Sequence, residues 1–88
     1  MKIFNNRQLM IIYSTHLLRS WLADELIRFL ENSSHADWFE AKLFDLICKA
    51  DFSNRQKIMK GFPHHIFIYN QYIKKGERWM RKAYRVTR

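Results

Sequence analysis

The chain has little of what breaks helices or cross-links them. Its 88 residues include one proline, two glycines and one cysteine. The single cysteine, Cys48, excludes an intramolecular disulfide and a cysteine-rich zinc site. It is expected as a small buried hydrophobe in a reducing compartment rather than as a reactive thiol. Gly61 and Gly76 are too far apart to build a glycine-rich phosphate loop. Long apolar runs are missing too: the longest, Leu9 to Tyr13, has five residues, against the ~20 of a membrane span. Asn5, Asn6 and Arg7 precede that run and Arg19 interrupts the apolar segment, with no small-residue cleavage site. No signal peptide is therefore expected, and the expected location is cytoplasmic.

Acidic residues are scarce in one half only. Residues 1–52 carry six Lys/Arg and seven Asp/Glu, whereas residues 53–88 carry ten Lys/Arg and a single acid, Glu77. The net charge of +8 thus resides in the second half. Such asymmetry points to an acidic partner for that half.

Aromatic residues are plentiful, at 16% of the chain, so a core has bulky material and disorder is not expected. A chain of this length buries only about 60–65% of its unfolded surface. It is marginal unless a partner or a homo-oligomer adds burial.

Hydrophobic spacing predicts helices. Met10, Tyr13, Leu17, Trp21, Leu22, Leu26, Phe29 and Leu30 recur at three and four, a wide stripe of a first helix with Asn5 or Asn6 as its cap, ending near Asn32. Ser34 is the expected cap of a second helix, whose buried stripe is Phe39, Leu43, Leu46, Ile47 and Ala50. Ser53-Asn54-Arg55-Gln56 fits a capping box for a short helix over 54–60, with Gly61 as a left-handed C-cap. Pro63 then opens a basic C-terminal helix over about 63–86, which Gly76 either kinks or breaks. Ile66 to Tyr69 is dense in β-formers, and a strand competes with the helix there. The expected fold is all-α: one domain over 1–88, a compact bundle of three to four helices. Its core is expected to include Trp21, Leu22, Leu26, Phe39, Leu43, Ile47, Phe62, Ile66 and Tyr69.

Catalytic constellations are not evident, and the chain is expected not to be an enzyme. His64 and His65 are adjacent, so on a helix they point about 100° apart and do not converge on a metal. His16 and His35 have no ligand-type neighbour at metal spacing, and solvent-exposed or helix-terminal histidines are expected. The acids Asp24, Glu25, Asp37 and Glu40 have the spacing of ordinary helix-surface acids. No metal and no cofactor is expected.

The basic C-terminus carries the strongest signal. Lys74, Lys75, Arg78, Arg81, Lys82, Arg85 and Arg88 place seven cations in the last fifteen residues. On one helix, Lys74, Arg78, Arg81, Lys82 and Arg85 would stack as a positive ridge able to neutralise phosphates. Tyr72, Trp79 and Tyr84 interleave with them and suit stacking on bases. Against this stands the macrodipole, which favours cations at any helix C-terminus, and a core role for Trp79. A basic helix with Trp and Tyr on its other face also has the composition of a membrane-surface anchor.

The segment Lys49-Ala50-Asp51-Phe52-Ser53-Asn54-Arg55, continuing to Gly61-Phe62-Pro63, resembles a pattern in small uncharacterised accessory proteins of bacteriophages and prophages. In these, Gly-Phe-Pro joins two helices and precedes a tyrosine-containing helix, matched here by Tyr69 and Tyr72. The resemblance spans residues 38–73 and carries no catalytic residue. It implies a phage-encoded viral protein acting in the cytoplasm of a bacterial host. That class includes inhibitors of host enzymes and of defence systems, anti-CRISPR proteins among them. Two functions are thus expected: binding of nucleic acid or a nucleoprotein through the C-terminal residues, or docking on an acidic patch of a host protein.

Overall fold

A computed structural model describes residues 6–87, with side chains from Ser14 onward. The side chains of the expected stripe residues Met10 and Tyr13, together with the cap Asn5 and the basic residue Arg88, lie outside what is described. Five α-helices follow one another: α1 (Asn6–Glu31), α2 (Phe39–Lys49), α3 (Phe52–Gly61), α4 (Pro63–Lys75) and α5 (Glu77–Ala83). The all-α class is as expected, but the helices number five rather than three to four. Among the described residues there is no strand, and Ile66 to Tyr69 lie inside α4.

The helix boundaries follow from local hydrogen bonding. α1 ends where Asn32 turns back on it, its backbone N–H and side-chain amide both donating to the Arg28 carbonyl. A single 3₁₀ turn, Ser33–His35, follows. α2 then starts at Phe39, four residues later than a Ser34 cap implies. The delay has a physical cause. The Trp38 indole N–H donates to the Glu25 carboxylate at 2.8 Å, and the Arg28 guanidinium lies 4.1 Å from the centre of the Trp38 ring. This clasp holds Trp38 extended against α1, so helical dihedrals begin only after it.

α3 is capped by Asp51 and not by Ser53: the Asp51 carboxylate accepts the Asn54 N–H at 2.8 Å. Arg55 of α3 reaches back to the last turn of α2, where its Nε donates to the Ile47 carbonyl at 3.1 Å. It thereby satisfies an acceptor that the helix end leaves without a partner. Gly61 is not a left-handed cap; it ends α3, and Phe62 serves as both the C-cap of α3 and the N-cap of α4. Pro63 occupies the first position of α4, where its missing N–H costs nothing. Of the two alternatives at Gly76, a kink or a break, the structure has the break: Gly76 has φ 90° and terminates α4, so the basic segment over 63–86 holds two helices.

The core is built by α1, α2, α4 and α5. Leu22, Leu26 and Ile27 of α1 meet Phe44 and Ile47 of α2, Ile68 of α4 and Met80 of α5, all with no exposed surface. Leu43, Ile66 and Tyr69 are buried as expected. Trp21, Phe39 and Phe62 are not: Trp21 is 47% exposed and Phe39 64%. Both helices are rotated from the expected stripe, so that Ala23, Ile27, Ala41 and Phe44 face inward. The small side chains of Ala23 and Ala41 fit where backbones approach, and bulky neighbours are displaced to the rim. Cys48, expected inside, is exposed for the same reason. α3 contributes no fully buried residue.

Leu43 and Phe52 separate these environments experimentally. Leu43→Ala is expected to destabilise the protein by about 2–5 kcal/mol, the cost of a core cavity. Phe52→Ser, at a side chain 78% exposed, is expected to change stability by no more than about 0.5 kcal/mol. Urea unfolding of the two variants checks both values.

Candidate nucleic-acid interface

The break at Gly76 distributes the basic residues over two short elements. Lys74 and Lys75 end α4, where cations suit the negative end of the helix, and both are exposed. In α5, successive residues are turned by about 100°, so Arg78 and Lys82 point away from the buried Met80. Arg81 lies on another side. Its guanidinium pairs with Glu31 of α1 at 3.0 Å and approaches Glu77 at 3.7 Å. Arg81 is thus a strut between α5 and α1, and the continuous five-cation ridge expected from the sequence is absent. Glu77, the only acid of residues 53–88, faces Arg81.

The aromatic residues of the segment divide in the same way. Tyr72 is half-buried and packs on the core, its ring 6.4 Å from that of Tyr69. Trp79 is partly exposed, with the Lys75 ammonium 5.8 Å from its centroid and the Tyr84 ring edge-on at 6.3 Å.

The turn after α5 carries an unusual cation. The Val86 N–H donates to the Arg81 carbonyl at 2.9 Å, and Arg85 has φ 52°. This is the helix-ending arrangement that places glycine or asparagine in the left-handed position. Here an arginine takes it, at a cost of about 1–2 kcal/mol relative to a relaxed backbone.

Two open hollows border these residues. One, of about 410 Å³, lies between α1 and the C-terminal turn and is lined by His16, Ser20, Ala83, Tyr84 and Arg85. The other, of about 310 Å³, lies along α4 and is lined by Phe67, Asn70, Gln71, Lys74 and Lys75. The Tyr84 hydroxyl donates to Gln71 Oε1, so one residue from each hollow closes the wall between them. The sequence reading missed His16, Arg19, Asn70 and Gln71. The spacing of Phe67, Gln71 and Lys74 on one helical face was a usable signal; nothing local marked Arg19, whose surroundings arise only from folding.

Of the remaining histidines, His35 is exposed, and His64 is half-buried with its Nδ1 shielded and without a hydrogen-bond partner among the described residues. His65, expected to be exposed or simply helix-terminal, is buried in the first turn of α4, where it meets the Glu40 carboxylate and lies between the rings of Phe44 and Phe62. Among the described residues, no group of three or more metal-ligating side chains converges. Among the same residues, no helix is long and apolar enough to cross a membrane. Comparisons with protein-family models, with curated proteins and with solved structures give no match to this chain.

Burial pushes the phenols of Tyr69 and Tyr84 above their ordinary value of 10.0; the Cys48 thiol adds to the effect at Tyr69, while the Arg19 charge opposes it at Tyr84. Both folded values exceed the unfolded one, so the folded state holds its phenolic protons longer. Stability is therefore unaffected below the unfolded value and falls as pH rises above about 10. Urea unfolding across that range is expected to show the decline, and the Tyr69→Phe, Tyr84→Phe double variant to flatten it. Arg85→Gly relieves the left-handed strain at the expense of chain entropy, and is expected to leave stability unchanged or raise it by up to about 1 kcal/mol. Thermal unfolding of that variant measures the outcome.

Proposed function

We propose that the protein binds nucleic acid, or a nucleoprotein, through its C-terminal residues. The observation that carries this reading is the set of exposed cations on residues 74–85. Lys74, Lys75, Arg78, Lys82 and Arg85 are all exposed, and the one nearby acid, Glu77, is turned to Arg81. Helix-end electrostatics accounts for one or two such charges and not for five. The exposed edge of Trp79 adds a surface on which a base can stack. Its binding role needs no catalytic group and no cofactor. A phage origin, and action in the cytoplasm of a bacterial host, accord with the resemblance of the Lys49 to Pro63 segment.

A second reading, docking on a host protein as an inhibitor or adaptor, is favoured by a different observation. α3 buries no residue and exposes Phe52 and Met59 beside Lys57 and Lys60, an apolar and basic surface suited to an acidic protein patch.

Replacing Lys74, Arg78, Lys82 and Arg85 by glutamine, with Arg81 left in place as a strut, is expected to abolish oligonucleotide binding while the helical circular dichroism persists. Wild-type affinity is expected to fall with salt at a log–log slope near about −3 for four phosphate contacts. Fluorescence anisotropy with a purified oligonucleotide as sole partner measures both. No wild-type binding at low salt rejects the nucleic-acid reading and favours the protein-docking one.

A further inference from the structure

Arg19 is placed as a ligand-binding cation would be. It stands on α1, next to Ser20 of the terminal hollow, and its guanidinium lies 3.7 Å from the centre of the Phe67 ring, which lines the α4 hollow. Its Nε is shielded from solvent and has no hydrogen-bond partner among the described residues. A shielded guanidinium nitrogen without a hydrogen-bond partner is costly to keep. Stacking on an aromatic face offsets part of that cost and leaves the charge available to an anion.

The two hollows adjoin across the Tyr84–Gln71 contact. Arg19 is close enough to Tyr84 for its charge to act on the phenol, and Tyr84 is hydrogen-bonded to Gln71. Lys74 lines the α4 hollow and the strained Arg85 lines the terminal one. Between them are the Asn70 and Gln71 amides, which carry both donors and acceptors.

We propose that the two adjoining hollows together form a groove that binds single-stranded nucleic acid. Phosphates are held by Arg19, Lys74 and Arg85, and an unpaired base enters the α4 hollow, where the Asn70 amide meets its edge. The inference rests on the nucleic-acid reading above and specifies its ligand. A duplex keeps its base edges paired and offers phosphates to any convex basic surface. Amide-lined hollows between cations suit a strand whose bases are free. A volume of about 310 Å³ lies at the small end of the range for compact organic ligands.

Fluorescence anisotropy with the full chain tests the site, comparing a random single strand of about 12 nucleotides with a duplex of the same length. The single strand is expected to bind about tenfold more tightly, the scale of one stacked base. Arg19→Gln and Asn70→Ala are each expected to weaken single-strand binding about five- to tenfold and to leave duplex binding within about twofold. Asn70 is exposed, so its variant retains the fold even where Arg19→Gln does not. Equal affinity for the two forms overturns the groove and leaves the C-terminal interface standing, as does equal weakening of both forms by Asn70→Ala or no weakening at all. Absence of binding to either form overturns both readings together.

Discussion

At Gly76 the backbone takes φ 90° and ψ 166°, a conformation readily available only to a residue without Cβ, and α4 stops one residue before α5 begins. A Cβ there would meet nothing within 4 Å, so the requirement is torsional and not steric. The rest of the basic end depends on this angle. A continuous helix would carry residues 77–83 straight on along the axis of α4, away from α1. With the break, Met80 enters the core beside Leu22 and Ile27, and Arg81 reaches Glu31. The same rotation sends Arg78 and Lys82 outward. Burial of one residue therefore fixes the direction in which the charges point.

The arginines divide into those that hold the fold and those that face solvent. Arg28 lies on Trp38, Arg55 bonds to the end of α2 and faces Tyr69, and Arg81 bridges α5 to α1. Each combines hydrogen bonding or ion pairing with its apolar stem or planar head in contact with neighbours, a use for which lysine is less suited. A domain with so small a core gains from such contacts at its rim. Arg19 shares the aromatic stacking and lacks the carboxylate. The lysines are mostly outside this framework; Lys49, paired with Asp45 along α2, is a surface ion pair of small energetic value.

Periodicity was enough to identify the helices and half of the core. Leu22, Leu26, Leu43, Ile47, Ile66 and Tyr69 have the spacing of buried residues, and they are buried. Trp21 and Phe39 have it too and are at the rim, because a stripe wider than the contact leaves its facing direction undetermined by about one residue. That ambiguity is resolved by Ala23 and Ala41, whose small side chains allow close approach, and alanine carries little weight in a hydrophobic pattern. The start of α2 was illegible for another reason: Trp38 bonds to Glu25, thirteen residues away. The basic patch was legible as composition. Its division at Gly76 was visible only as two alternatives, and the withdrawal of Arg81 into an ion pair with Glu31, fifty residues distant, had no local signature.

Phe62 alone separates α3 from α4, and α3 buries no residue. The two helices consequently share a junction and differ in what anchors them. α4 is locked by Ile66, Ile68 and Tyr69, whereas α3 is tied by the Asp51 cap, the Arg55 bonds and the half-buried Ile58. Free energy of opening is therefore graded along the chain, lowest in α3 and approaching the global value in α1 and α4. Amide hydrogens of residues 52–61 are therefore expected to exchange ahead of those in the buried parts of α2 and α4. The junction at Phe62 adjoins His65, whose contact with Glu40 ties the start of α4 to α2.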